Sequence, residues 1–235
     1  MIKAVLFDLG GTLVYYPSAE KFAALCRTEE IRRITNLPQS VLVEISDEMI
    51  KQREESVRTY REYLATDVFR NIFRKYKVET NKADSVAGLV YSQYTKGLRL
   101  YPDVKDALRG LRRRGYLIGL ISNTIFPRQW HFRTLEKFQI DRFFRMTIWS
   151  SEFGWRKPHP SIFQHGLKLL KVRPEEAIYV GNELVPDILG SQQVGMKGVL
   201  IYRSIEGNDV SLLLDSRPYR IITDLRKIID IARRA

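Results

Sequence analysis

After Tyr101-Pro102-Asp103 the chain alternates between segments of helical and of strand character, and this alternation narrows the possible folds more than any other feature. It predicts helices over 104–114, 132–138, 161–170 and 187–194, and strands over 116–121, 146–149, 177–180, 198–202 and 221–222, with a last helix closing the chain. The strands are short and apolar, as strands buried on both faces must be. Joined through helices, they form a parallel sheet covered on either side. A further apolar run, Ile2 to Phe7, supplies a first strand that ends in Asp8-Leu9-Gly10-Gly11-Thr12. The expected fold class is α/β, a doubly wound, Rossmann-like parallel sheet.

A different kind of sequence separates that first strand from the alternating region. From 18 to 96 Gly and Pro are scarce, and apolar residues recur at helical spacing: Phe22, Leu25 and Cys26, then Phe69, Ile72, Phe73 and Tyr76. This block is expected to be helical, with breaks near Asn36-Leu37-Pro38 and Thr80-Asn81. Residues 1–14 and 98–235 are therefore assigned to an α/β core and 15–97 to a helical insertion. The 235 residues suffice for a real hydrophobic core. One cysteine, Cys26, excludes a disulfide framework and a cysteine-based zinc site, and points to a reducing cytoplasm. The first apolar run is stopped by Asp8 too early for a signal segment, and no stretch approaches the roughly 18 to 20 apolar residues that cross a bilayer.

In open α/β sheets, ligands bind beyond the carboxyl ends of the strands. Chemistry is therefore sought at three loops. Asp8 stands directly after the first strand with glycines behind it; it can be an exposed nucleophile beside backbone N–H groups, or an acid that only shapes the turn. Ser122-Asn123-Thr124 closes the second core strand with hydroxyl and amide groups that can hold phosphate oxygens or simply cap the next helix. Lys157, between Arg156 and Pro158, can neutralise charge on a nucleophile and its substrate; a solvated lysine is the alternative. The third strand end, Tyr179-Val180-Gly181-Asn182-Glu183 through Asp187, adds a glycine turn followed by polar and acidic groups.

Taken in order, these segments resemble the haloacid dehalogenase superfamily of hydrolases, in the branch that carries a helical cap after the first motif. The matching stretches are Val5 to Leu13, Leu120 to Asn123, Gly154 to Phe163 around Lys157-Pro158, and Val180-Gly181-Asn182 to Asp187-Ile188. The resemblance implies an aspartyl-enzyme mechanism with Asp8 as nucleophile, usually at phosphorus. It implies Ser122 and Lys157 on the transferring group, with Asn123 beside them and backbone amides near Gly11 and Thr12. It also implies Mg²⁺ held by Asp8, the carbonyl of Gly10 and the fourth motif, here Asn182 and Asp187.

Two positions depart from that pattern. Phosphatases of the family usually carry a second Asp two residues after the nucleophile, where Gly10 stands, and a metal-binding Asp where Asn182 stands. Glu183 or Asp187 is the candidate replacement ligand. The family's dehalogenases, which use no metal, place an Asn where Leu184 stands and a Tyr where Phe163 stands. The expected function is hence Mg²⁺-dependent hydrolysis of a small phosphorylated metabolite. Two rivals remain: a weakened member that binds a phosphorylated ligand or partner, and a metal-independent 2-haloacid dehalogenase.

The net charge of +12 invites a nucleic-acid reading, but its distribution argues otherwise. Residues 15–97 hold 14 basic and 12 acidic groups, whereas 98–235 hold 24 and 14, so the excess lies in the half that carries Ser122 and Lys157. The run Arg109, Arg112, Arg113 and Arg114 suits a helix C-terminus, and no nucleic-acid motif accompanies it. The charge is compatible with a phosphorylated or carboxylate substrate, and neither nucleic acid nor membrane is expected as a partner. His131, His159 and His165 show no ligand spacing and are read as packing or surface residues.

Overall fold

The computed structural model describes residues 1–15, 22–203 and 217–235. Six strands form one parallel sheet: β1 (Ala4–Phe7), β4 (Leu117–Ser122), β5 (Met146–Trp149), β6 (Ala177–Gly181), β7 (Lys197–Ile201) and β8 (Arg220–Ile222), in the order β5-β4-β1-β6-β7-β8. The short β2 (Val14–Tyr15) and β3 (Arg99–Leu100) pair antiparallel on either side of the inserted block, an element that the alternation did not reveal. Crossovers are made by α6 (Val104–Arg113), α7 (Arg128–Lys137), α8 (Ser150–Phe153), α9 (Pro160–Leu170) and α10 (Gly190–Gln193), and α11 (Ile228–Arg234) ends the chain.

Strand pleating sorts the core into two layers, because successive side chains point to opposite faces. Val5, Phe7, Ile178 and Val180 pack with Val104, Leu108, Leu111 and Ile228 of α6 and α11. Ala4, Leu6, Ala177 and Tyr179 face the other way, onto Ile162, Phe163, Leu167 and Leu170 of α9. The helix expected over 187–194 is split: Leu184–Leu189 is wound as a wide π-type turn before α10.

The inserted block contains α1 (Phe22–Leu25), α2 (Glu29–Thr35), α3 (Gln39–Thr59), α4 (Ala65–Lys75) and α5 (Lys82–Tyr94). Its predicted start at 18 lies outside the described residues. The breaks expected near 36–38 and 80–81 are present; two more, at Cys26 to Thr28 and at Tyr60 to Leu64, carried no Gly or Pro to announce them. There Tyr60 adopts a left-handed φ of 58°, and the chain leaves α3 to bond backbone to backbone with the α/β layer: Glu62 N–H to Gly154, Ala65 N–H to Ile125, and Arg156 N–H back to Tyr60. The block has its own apolar cluster, built on Ile31, Leu42, Ile45, Phe69, Phe73 and Val90, which Phe126 joins from the loop after β4.

Candidate active site

Three neighbouring strands, β4, β1 and β6, bring their carboxyl ends to one place. Phe7 pairs with Leu120 on one side and Val180 on the other, so the residues that follow each strand must meet. Asp8 continues the ladder by donating its N–H to Val180 O at 2.9 Å, and it is 7 % exposed. Ser122, also buried, ends β4 beside it.

Lys157 comes from the loop before α9, far away in sequence, and is the centre of the arrangement. Its ammonium lies 2.7 Å from Asp8 Oδ1 and 2.6 Å from Asp187 Oδ1, and donates to Tyr179 Oη at 2.9 Å. The Tyr179 hydroxyl in turn donates a hydrogen bond to Ile121 O at 2.9 Å. A buried cation needs such partners, since leaving one unpaired in the interior costs several kcal/mol. The Asp8 carboxyl is raised to about 7: burial pushes it up most, the neighbouring Lys157 pulls it partly back, and Asp187 and Glu183 add to the rise. Burial acts on Lys157 in the opposite sense, but the Asp187 and Asp8 carboxylates more than reverse it and hold the ammonium well above the usual lysine range. Lys157 stays charged, and the Asp8 carboxyl is poised between its protonated and ionised forms near neutral pH, so that a further cation beside it would favour the carboxylate.

The other sequence candidates fall around this centre with separate tasks. Asn123 exchanges two hydrogen bonds with the backbone of Lys157, accepting from its N–H at 2.8 Å and donating to its carbonyl at 3.0 Å. Its amide thus fixes the loop that delivers the lysine. Asn182 accepts from Thr12 Oγ1 at 3.0 Å and lies against Gly11, where a Cβ would stand 2.5 Å from Asn182 Nδ2; together with a φ of 80°, this explains glycine at 11. Asp187 has both oxygens engaged, one by Lys157 and the other by the Glu183 N–H at 3.0 Å. Gly181 lets it approach, since a Cβ there would lie 2.3 Å from the Asp187 carboxyl. Gly10 is exposed at the turn. Glu183, next to Asn182, has its carboxyl raised by desolvation and by the neighbouring Asp187, with Lys157 pulling it partly back.

Sequence reasoning missed three supports of the site. Tyr179 looked like one more apolar strand residue, although a phenol inside a buried strand must find a hydrogen-bond partner. Arg203 grips Asp103 with two bonds, at 2.7 and 3.0 Å, donates to Thr12 O at 2.9 Å and so ties the β1 turn to the end of β7; nothing in the local sequence pairs residues 100 apart. Glu62, its side chain 1 % exposed, accepts from Ser56 Oγ at 3.0 Å and from Ser150 Oγ at 2.7 Å, linking the helical block to β5. His131 behaves as a packing residue: it stacks on Trp149, lies 2.6 Å from Thr124 Oγ1, and is pushed down to about 4 by burial, hence neutral. Among the described residues no group of three or more His, Cys, Asp or Glu converges on a point that could hold a metal ion.

A family model for haloacid dehalogenase-like hydrolases matches residues 2–195. The chain belongs to that family. Among its relatives within the haloacid dehalogenase-like hydrolases, the glyceraldehyde 3-phosphate phosphatase of Pyrococcus furiosus is 31% identical over 99% of this chain and 94% of its own length. The protein of the same name from Methanopyrus kandleri is 33% identical over 99% and 98%. The crystal structure of a 2-haloacid dehalogenase from Pseudomonas syringae pv. Tomato DC3000 superposes over 100% of both chains with a TM-score of 0.70 at 21% identity, a likeness of fold. Among the described residues, no helix is long and apolar enough to cross a membrane.

Proposed function

We propose that this haloacid dehalogenase-like hydrolase is a phosphatase of a small phosphorylated metabolite, with Asp8 as nucleophile. The observation that supports it best is the Asp8 carboxylate at the end of β1, held at 2.7 Å by a lysine that stays charged. In this reading an Asp8 oxygen attacks phosphorus, the bond to the leaving oxygen breaks, and that oxygen takes a proton from solvent. Water then attacks the aspartyl phosphate, releases inorganic phosphate and restores Asp8. Lys157 and Ser122 bind the transferring group, assisted by backbone N–H groups of the Gly11-Thr12 turn. Residues 15–97 serve as a cap that excludes water. The setting is cytoplasmic, with neither nucleic acid nor membrane as partner.

Mg²⁺ is the cofactor of this reading. The donors around Asp8 are all oxygens, as a hard cation prefers. Asp8 has a second carboxylate oxygen beyond the one at Lys157, whereas the oxygens of Asp187 are both engaged and that of Asn182 already accepts from Thr12. The set fits Mg²⁺ with less charge than an Asp at 182 would provide: Asp8 and the Gly10 carbonyl would hold it directly, with Glu183, Asn182 or Asp187 completing the shell, in part through water. Bound there, the ion supplies charge neutralisation for the carboxylate and the phosphoryl oxygens.

Gly10 leaves no side chain to protonate the leaving group, a role worth about 10²- to 10⁴-fold in rate. That absence, with Asn182, favours a second reading, a member that binds a phosphorylated ligand and turns it over slowly. Leu184 and Phe163 argue against dehalogenation. The test is phosphate release across a panel of phosphate monoesters, and chloride release from a 2-haloacid, with Mg²⁺ or chelator, beside Asp8→Asn. Metal-dependent phosphate release that Asp8→Asn abolishes is the expected result. Chloride release surviving chelation overturns it. If neither product forms, Gly10→Asp with Asn182→Asp should create activity, and failure of that repair counts against the site itself.

A further inference from the structure

We propose that the seam between α5 and α7 is a binding site for a small aromatic anion, separate from the Asp8 centre. The ring of the ligand lies against Trp130, and its carboxylate or phosphate is held by Arg133 and Lys137.

The seam is an open cleft of about 340 Å³. Gly88 and Tyr91 line it from α5 of the helical block, Trp130, Arg133 and Lys137 line it from α7 of the α/β layer, and Leu98 closes it from the chain that leads from one to the other. A cleft of this size accommodates a small molecule, and junctions between packed units are where such clefts bind ligands. None of Asp8, Ser122, Lys157 or Asp187 lines it.

Its aromatic wall is already in place. The Tyr91 and Trp130 rings pack with centroids 5.3 Å apart. The Tyr91 hydroxyl lies 3.0 Å from Thr134 Oγ1, so a hydrogen bond across the seam fixes the phenol ring, and a fixed wall needs little ordering when a ligand binds. Gly88 leaves room beside that wall. Glycine is disfavoured inside a helix, and packing does not demand it here, because the nearest atoms its Cβ would meet are those of Trp130 at 3.6 and 3.9 Å, ordinary contact distances. The bare backbone opens space next to the indole instead.

Charge selects an anion. Arg133 and Lys137 are exposed and stand four residues apart on α7, and neither forms an ion pair or a side-chain hydrogen bond among the described residues. Like charges at that spacing repel, and an anion shared between them relieves the repulsion. No Asp or Glu lines the cleft among the described residues, so the two cations are not neutralised there. An apolar ring suits Trp130 and Tyr91, and an anionic oxygen suits a guanidinium beside an ammonium.

The test is calorimetric titration with 2-naphthoate, 2-naphthylphosphonate and the neutral 2-naphthalenemethanol. The proteins are wild type, Arg133→Gln, Lys137→Gln, their double variant, Gly88→Leu and Asp8→Asn, with Mg²⁺ or chelator. At least one acid should bind wild type with a Kd below about 1 mM, the value expected for a ligand of this size, and about 10-fold or more tightly than the alcohol. Which acid binds more tightly tells carboxylate from phosphate. Each Gln variant should weaken that acid roughly 3- to 10-fold, between an exposed ion pair and a hydrogen bond to a charged group. The double variant should bind acid and alcohol alike, and Gly88→Leu, which fills the cleft, should bind neither. Asp8→Asn and chelation should leave the Kd within about twofold, because both change the charge only at the strand ends. A Kd above about 1 mM for both acids, equal binding of the alcohol, or full affinity in the double variant overturns the proposal. So does an affinity that follows Asp8→Asn or Mg²⁺, which would put the acid at the strand ends. Arg133 and Lys137 are exposed, so their variants fold and decide the question if Gly88→Leu does not.

Discussion

Replacing Lys157 by Met removes the charge but keeps most of the length of the side chain, and the structure sets the consequence. The substitution deletes contacts of 2.7 Å to Asp8, 2.6 Å to Asp187 and 2.9 Å to Tyr179 and leaves two carboxylates with side chains 10 % and 0 % exposed. Breaking a buried ion pair by removing one partner costs about 3–5 kcal/mol, because the remaining charge has lost its solvation and its counterion. For a chain of this size each kcal/mol corresponds to about 2–4 °C, so Tm should fall by roughly 6–20 °C. The sign of the pH dependence follows from the orphaned Asp8. Without Lys157 the buried Asp8 binds a proton more readily folded than unfolded, so the deficit should shrink as pH falls from 8 to 6. Adding Asp187→Asn removes one orphan, and the double variant should be more stable than the sum of the single losses by more than about 1 kcal/mol. Urea and thermal unfolding of the four proteins at pH 8 and 6 supply every quantity. A loss below about 1 kcal/mol for Lys157→Met, or strict additivity in the cycle, would refute the account of the site as a charge triad.

Other consequences can be checked separately. Phosphate release should decline as pH drops through about 7, because protonated Asp8 does not attack, and saturating Mg²⁺ should move that acid limb lower; a limb indifferent to Mg²⁺ would place the ion elsewhere. Gly181→Ala should cost about 1–3 kcal/mol, since the new Cβ would meet, at 2.3 Å, an Asp187 carboxyl that Lys157 and the Glu183 N–H hold from two sides; wild-type unfolding midpoints would contradict this. His131, held near 4, stays neutral in the fold while the unfolded chain takes up a proton below about 6.5. It should therefore remove about 2 kcal/mol of stability between pH 7 and 5, a slope that His131→Asn abolishes in urea titrations.

Much of the site was legible in the order of residues. Strand followed by Asp8 and glycines, strand followed by Ser122-Asn123, and strand followed by Gly181-Asn182 are local patterns, and local patterns survive in one dimension. Their meeting at one edge also followed, since a parallel sheet puts all its carboxyl ends on one side. The tasks of individual side chains did not. Asn123 and Asn182 look alike in sequence as polar groups after a strand; one holds the Lys157 backbone and the other braces Thr12 and Gly11. The break at Tyr60 to Leu64 was invisible because contacts with Gly154, Ile125 and Arg156 hold it, not a helix-breaking residue.

The sequence by itself determined the α/β class, the place of the helical insertion and the candidate nucleophile, because periodicity and turn chemistry act between near neighbours. Only the tertiary structure decided the electrostatics. Asp8 and Lys157 are 149 residues apart, Lys157 and Asp187 are 30, and Arg203 and Asp103 are 100. Burial makes each of those charges costly alone, and the pairing that makes it tolerable depends on distances of a few ångströms that only the packed chain defines.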